Sequence, residues 1–146
     1  EYGNPVQDVA RLGLGNAYRL RGIIFSSYKD FASALDFSDK AIQTLEEVRP
    51  KFENSTESNE SHRRYLTQVY EYLGEAYEWQ GYAHALNLDY ESALESYNKS
   101  LGYYNECIAQ GSNTADLVIQ KDIVEKICQP YSMIAKDAID ILSGDQ

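Results

Sequence analysis

Apolar residues recur three and four apart through most of this chain, the spacing that lines up one side of an α-helix. From about Val6 to Tyr28 these positions are Val9, Ala10, Leu14, Ala17, Tyr18, Ile24 and Phe25. From Phe31 to about Val48 they are Phe31, Ala34, Leu35, Ser38, Ala41, Ile42 and Leu45. Pro50 is expected to stop this second helix, because proline lacks a backbone donor and disfavours helix at the residue before it. The polar run Lys51 to Asn59 reads as the one long loop. Ser58 or Asn59 can cap a third helix that reaches about Leu88. Asp89 makes a turn and caps a fourth from about Tyr90 to Gln110, with Gly111 as its C-terminal cap. Ser112, Asn113 and Thr114 offer another N-cap. Beyond them Val124, Ile127, Tyr131, Ile134, Ala138 and Ile141 keep helical phase across Pro130, favouring one kinked helix over 115–143 rather than two. Only 3 prolines and 9 glycines interrupt the chain, so the expected class is all-α.

The chain also repeats itself. A shift of 59 residues puts Leu14-Gly15-Asn16-Ala17-Tyr18 on Leu73-Gly74-Glu75-Ala76-Tyr77 and Gly22 on Gly81. The register then runs on without a gap through Asp30/Asp89, Ser33-Ala34-Leu35/Ser92-Ala93-Leu94 and Lys40/Lys99. Ten of the 29 positions from 14 to 42 are identical to their partners, too many for chance alignment of two amphipathic helices. Each copy reads as two helices, and a unit of this kind buries its apolar face by stacking on its neighbour.

These residues resemble the tetratricopeptide repeat. That family's helix-turn-helix carries a Leu-Gly pair, a Tyr three residues after the Gly, a second Gly, an aromatic-x-x-Ala entry to the second helix and a late small-hydrophobic pair. Here they are Leu14-Gly15, Tyr18, Gly22, Phe31 to Ala34 and Ala41-Ile42, then Leu73-Gly74, Tyr77, Gly81, Tyr90 to Ala93 and Ser100-Leu101. Gly22 to Ala34 and Gly81 to Ala93 are each 12 apart, seven more than the family's spacing, or about two helical turns shared between paired helices. The period of 59 likewise exceeds the family's usual ~34. The resemblance implies a long-helix, right-handed stack of antiparallel hairpins, about five helices in one domain. Repeat one spans about 5–50, a loop 51–58, repeat two about 59–111, and a capping helix about 114–143. The last segment lacks the Leu-Gly and Tyr signature, which favours a cap over a degenerate third repeat.

Composition narrows the function classes. The chain has 146 residues, 13 Lys+Arg against 23 Asp+Glu, and a net charge of −10, which argues against nucleic acid or an anionic membrane as partner. No apolar run approaches the roughly 20 residues of a membrane span, and no signal peptide is visible. A start at Glu1 rather than Met suggests an excised or processed piece. Two cysteines do not staple a secreted mini-domain, so a reducing, cytoplasmic setting is expected, with Cys107 and Cys128 as buried small hydrophobes. Tyrosine is unusually frequent, 13 against 4 Phe and 1 Trp.

No phosphate-binding loop, zinc pair, nucleophile elbow or dinucleotide fingerprint is present. Neither catalysis, a cofactor nor a metal is expected. His62 and His84 sit about six turns apart on one helix and cannot share a metal within one chain. His84 leaves a phosphotransfer helix bundle as a lesser alternative, although Ala85-Leu86-Asn87-Leu88 follows it where such a site expects Lys and Gly. Glu46-Glu47 and Glu91/Glu95 read as solvated helix faces.

The function that the resemblance implies is display of a groove for a peptide or helix of a partner protein, or of another domain of a parent protein. Its groove side would be Val9, Leu12, Asn16, Arg19, Leu20 and Ile23 in the first repeat. In the second it would be Gln68, Glu71, Glu75, Glu78, Trp79 and Tyr82. Asn16 matches one position of the family's carboxylate clamp, but Leu12 stands where Lys would be expected. Net charge is −1 over 1–50, −6 over 51–111 and −3 over 112–146. The acidic second repeat, with Trp79 and Tyr82 beside its carboxylates, points to a basic partner with an apolar anchor. Self-association through the same surfaces is the alternative, and the oligomeric state is left open, monomer included.

Overall fold

A computed structural model describes residues 5–55, 59–111, 118, 121–126 and 128–129. The chain is all-α, with no strand among the described residues. Four long helices follow in order: α1 (Pro5–Ser27), α2 (Phe31–Glu53), α3 (Glu60–Leu86) and α4 (Tyr90–Ala109). Residues 121–126, with 118 and 128–129, are also helical. The expected N-cap at 112–114, Ser58 and the Pro130 kink lie outside the described residues, as does most of the predicted 115–143 helix.

The 59-residue register in the sequence is a register in space. A Cβ on Gly15 would lie 2.6 Å from the side chain of Leu45, and one on Gly74 would lie 2.5 Å from the ring of Tyr104, which is Leu45 plus 59. Gly22 meets Ser38, and Gly81 meets the equivalent Tyr97. Each glycine lets the two helices of its hairpin approach as closely as the facing side chain permits. The turns repeat as well. Asp30 and Asp89 cap α2 and α4, each accepting from the backbone N–H of a serine three residues on at 3.2 Å. Lys29 and Leu88, immediately before these caps, both take left-handed backbone angles with φ of 61° and 62°. Asn59 caps α3 by accepting from the His62 N–H, and α4 ends at Ala109, with Gln110 as its C-cap and Gly111 following at φ 90°.

The contacts fix the helix directions. The pairs Gly15–Leu45 and Gly22–Ser38 run α1 and α2 antiparallel, and Gly74–Tyr104 and Gly81–Tyr97 do the same for α3 and α4. Between the hairpins, α2 runs antiparallel to α3: Asp39 pairs with Gln80, Glu46 with Tyr77, and Phe52 with Tyr65. The chain therefore brings α1 and α3 together side by side and parallel, Arg19 lying over the Tyr72 ring.

One expectation fails here. Pro50 does not end α2, which continues three residues beyond it to Glu53. The apolar phase carries on through Val48 to Phe52, and Phe52 is buried against His62 and Tyr65 at the start of α3. Burying a phenylalanine stabilises by about 1.5–3 kcal/mol, comparable with the roughly 3 kcal/mol cost of an interior proline. Residues 51–53 of the predicted loop are thus helix, and Lys51 reaches to 4.0 Å from Asp8 at the start of α1.

Two clusters of buried side chains fill the stack. One joins α1, α2 and α3 through Leu12, Leu45, Val48, Phe52, Val69, Leu73 and Tyr77. The other joins α3 and α4 to the following segment through Tyr70, Tyr97, Tyr104, Cys107, Val124 and Cys128. Both cysteines are free and buried, as expected, and the second cluster places Val124 and Cys128 over the α3–α4 hairpin. Tyr103 lies where the clusters meet. Its ring stacks between Tyr70 and Tyr77, with centroids 6.1 and 5.9 Å away. Its hydroxyl donates to Glu46 Oε1, which also accepts from Tyr77, while Arg49 holds the other carboxylate oxygen at 3.0 Å. Glu46 is therefore a half-buried acceptor at the centre of the stack rather than a solvated surface group.

Candidate partner-binding site

The side on which α1 and α3 run parallel carries most of the residues singled out from the sequence. Arg19 is the link between the helices. Its guanidinium pairs with Glu75, both side chains being less than a fifth exposed, and covers the Tyr72 ring at 4.9 Å. Asn16, one turn earlier on α1, accepts from Arg19 Nε and Nη2 at 3.0 and 2.7 Å and so fixes the guanidinium plane. Asn16, Arg19 and Glu75 thus form one joined cluster, although they come from different repeats.

Glu71, Glu75 and Glu78 recur at four and three residues along α3 and share one side of it. Burial holds the Glu75 carboxyl above the ordinary carboxylate range; Arg19 opposes this, and the negative charges of Glu71 and Glu78 add to it. Glu78 leans towards α4, where it accepts from the Tyr104 hydroxyl at 2.9 Å. Trp79 is half-buried and belongs to neither core cluster. It meets Tyr82 edge-to-face at 5.7 Å, and Tyr82 is 43% exposed. On α1, Leu20 is exposed and Ile23 half-buried, next along the helix from Arg19. Val9 and Gln68 are half-buried.

Leu12 is a correction. It is 3% exposed and packs in the core with Leu45 and Val69, so it is unable to line a groove. A leucine on the boundary between the α2-facing and α3-facing sides of α1 gains more by entering the core than by staying in water. Glu78 is partly corrected too, since its hydrogen bond to Tyr104 serves the α3–α4 hairpin. The sequence reading missed that use of Glu78, because the partner is 26 residues away and no local pattern announces it.

A separate cleft of about 280 Å³ is lined by Ile42, Tyr77, Gln80, His84, Ser92, Glu95, Ser96 and Lys99. Tyr77, Gln80 and His84 lie on the opposite side of α3 from Glu71, Glu75 and Glu78. His84 Nδ1 stands 3.9 Å from the Asp89 carboxylate at the end of α3. Among the described residues no group of three or more His, Cys, Asp or Glu is placed to hold a metal ion, and no helix is long and apolar enough to cross a membrane.

Comparison with family models, curated proteins and solved structures finds no match to this chain. The chemistry of the site must therefore be read from its own residues.

Proposed function

We propose that this chain is a protein-interaction module of tetratricopeptide-like design that holds a basic peptide, or a basic helix of a partner, along the α1–α3 side. The observation that carries this reading is the arrangement on α3. Three carboxylates lie in one row beside a half-buried tryptophan and an exposed tyrosine, and the single arginine among them is already paired. A basic ligand would meet three carboxylates balanced by one arginine, and its apolar anchor would meet the Trp79–Tyr82 corner. Arg19 and Asn16 would act as the rigid floor, so that little order has to be imposed when the ligand docks. The 59-residue repeat supports the tetratricopeptide-like reading, since both hairpins use the same glycines, caps and turns.

Trp79 is the only tryptophan in the chain, so its emission reports on this site alone. The test is titration with a library of Lys/Arg-rich peptides carrying one Leu, Phe or Trp. Saturable binding with a shift in Trp79 emission is expected, weakening steeply with salt. Trp79→Ala, followed with labelled peptide, should weaken binding by more than about 1 kcal/mol without changing the helix content. Glu71→Gln should weaken it as well. Absence of binding across the library, or binding indifferent to Trp79→Ala, overturns the reading.

A further inference from the structure

The internal repeat allows α1 to be compared with α3 position by position, and the comparison exposes a second surface. On α3, Val69, Leu73, Ala76, Gln80 and Ala83 share one face. Val69 and Leu73 pack with Leu45, Val48 and Phe52 of α2, the helix that precedes α3. Ala76 and Ala83 are 1% and 0% exposed, and Gln80 Nε2 donates to Asp39 of α2 at 2.7 Å. Subtracting 59 gives Ala10, Leu14, Ala17, Arg21 and Ile24 on α1. Two of the five are identical to their partners, and all five are exposed; Leu14 stands at 46% where Leu73 stands at 0%. The face that receives a helix in the second repeat is open in the first.

We propose that this outward face of α1 is a docking surface for an amphipathic helix of a partner protein, one that resembles α2 and carries a carboxylate opposite Arg21. The carboxylate follows from the equivalent pair. Gln80 meets Asp39, and with arginine in place of the glutamine the same contact becomes an ion pair. The face also has the charge for it: Arg21 lies on it with Arg11 towards its edge, and the one acidic residue of α1, Asp8, is buried on the other side. Small residues at Ala10 and Ala17, with open space around Gly13, let a helix come close. A second copy of this chain is the poorer occupant. Its α2 already covers α3, and its α4 offers Asn98 where α2 has Asp39, with Tyr104 and Cys107 sealed in the core with Val124 and Cys128. This surface is independent of the α1–α3 side.

The probe is a fluorescein-labelled peptide with the sequence of Phe31–Glu53, titrated onto the intact chain by fluorescence anisotropy. Saturable binding is expected. Leu14→Glu and Arg21→Asp should each weaken it at least about tenfold. Leu14→Glu should leave helix content and melting unchanged, since Leu14 is exposed. Arg21→Asp also gives up the contact of Arg21 with the Phe37 ring at 5.4 Å and should lower melting slightly. A peptide carrying Asp39→Arg should recover most of the affinity for the Arg21→Asp protein. No binding overturns the proposal. So does binding indifferent to Leu14→Glu, which would mean that the peptide displaces α2 at its own site. Sedimentation showing a dimer that Leu14→Glu dissolves would also overturn it, by assigning the face to a second copy.

Discussion

Replacing Gly74 by alanine tests the packing of the second hairpin directly. The new methyl group would sit 2.5 Å from Tyr104 Cε1 and 2.7 Å from Cδ1, where an ordinary carbon contact is about 3.5–4.0 Å. The ring would have to retreat by roughly 1 Å. It has little room to do so, being fully buried with its hydroxyl on Glu78 at 2.9 Å. The backbone is held as well, since Ser100 Oγ donates to the Gly74 carbonyl at 2.6 Å. Overpacking of this kind costs about 1–3 kcal/mol, and stretching a hydrogen bond to a carboxylate adds about 1 kcal/mol. Against this, alanine is about 1 kcal/mol better than glycine inside a helix. The balance is a loss of about 2 kcal/mol, or roughly 6 °C in melting temperature for a chain of this size. Gly13→Ala makes the identical change on α1 where no atom lies within 4 Å, so only the helix gain of about 1 kcal/mol remains and melting should rise by roughly 3 °C. Thermal and urea unfolding followed by circular dichroism measure both. A Gly74→Ala protein as stable as the parent, beside a stabilised Gly13→Ala, would refute the close approach of α3 and α4.

Pro50→Ala should stabilise by about 1–2 kcal/mol, because it restores a helical donor inside α2 and Pro50 is itself exposed; a lower melting temperature would contradict a continuous α2. Burial, reinforced by nearby carboxylates, pushes Tyr70 and Tyr77 up from 10.0 to about 12, so the folded state favours their neutral forms. That contribution to stability is fully present below pH 10 and is lost as pH rises through about 12. Tyrosinate absorbance during an alkaline titration should show the exposed tyrosines ionising first and this pair only as the stack opens. Burial also pushes the Cys107 thiol up to about 12, so a thiol reagent at neutral pH should label it slowly in the native protein and promptly in denaturant.

Features set by neighbours in sequence were readable from the sequence, and features set by distant partners were not. The Asp30 and Asp89 caps, the Gly15 and Gly74 approaches and the buried cysteines all follow from local pattern plus the repeat. Pro50 misled because its penalty is local and visible, whereas the burial of Phe52 depends on α3. Glu46 looked like half of a solvated carboxylate pair; its partners Tyr77 and Tyr103 lie 31 and 57 residues away. For the candidate site, the sequence placed Asn16, Arg19 and Glu75 on adjoining helices without foreseeing that Arg19 would join them. The excess of tyrosine was noticed, but the stack of Tyr70, Tyr103 and Tyr77 requires knowing how α3 and α4 face each other.

Glu46 gives the molecule a property that neither hairpin has alone. In a linear stack each unit touches only its neighbours, so the hairpins could in principle melt one after the other. A carboxylate on α2 that accepts from α3 and α4 together ties the first hairpin to both helices of the second. Opening the second hairpin leaves that half-buried charge without two of its donors, and opening the first leaves two tyrosine hydroxyls without their acceptor. Either event raises the cost of the half-open state, which favours the two repeats opening together over their melting one after the other.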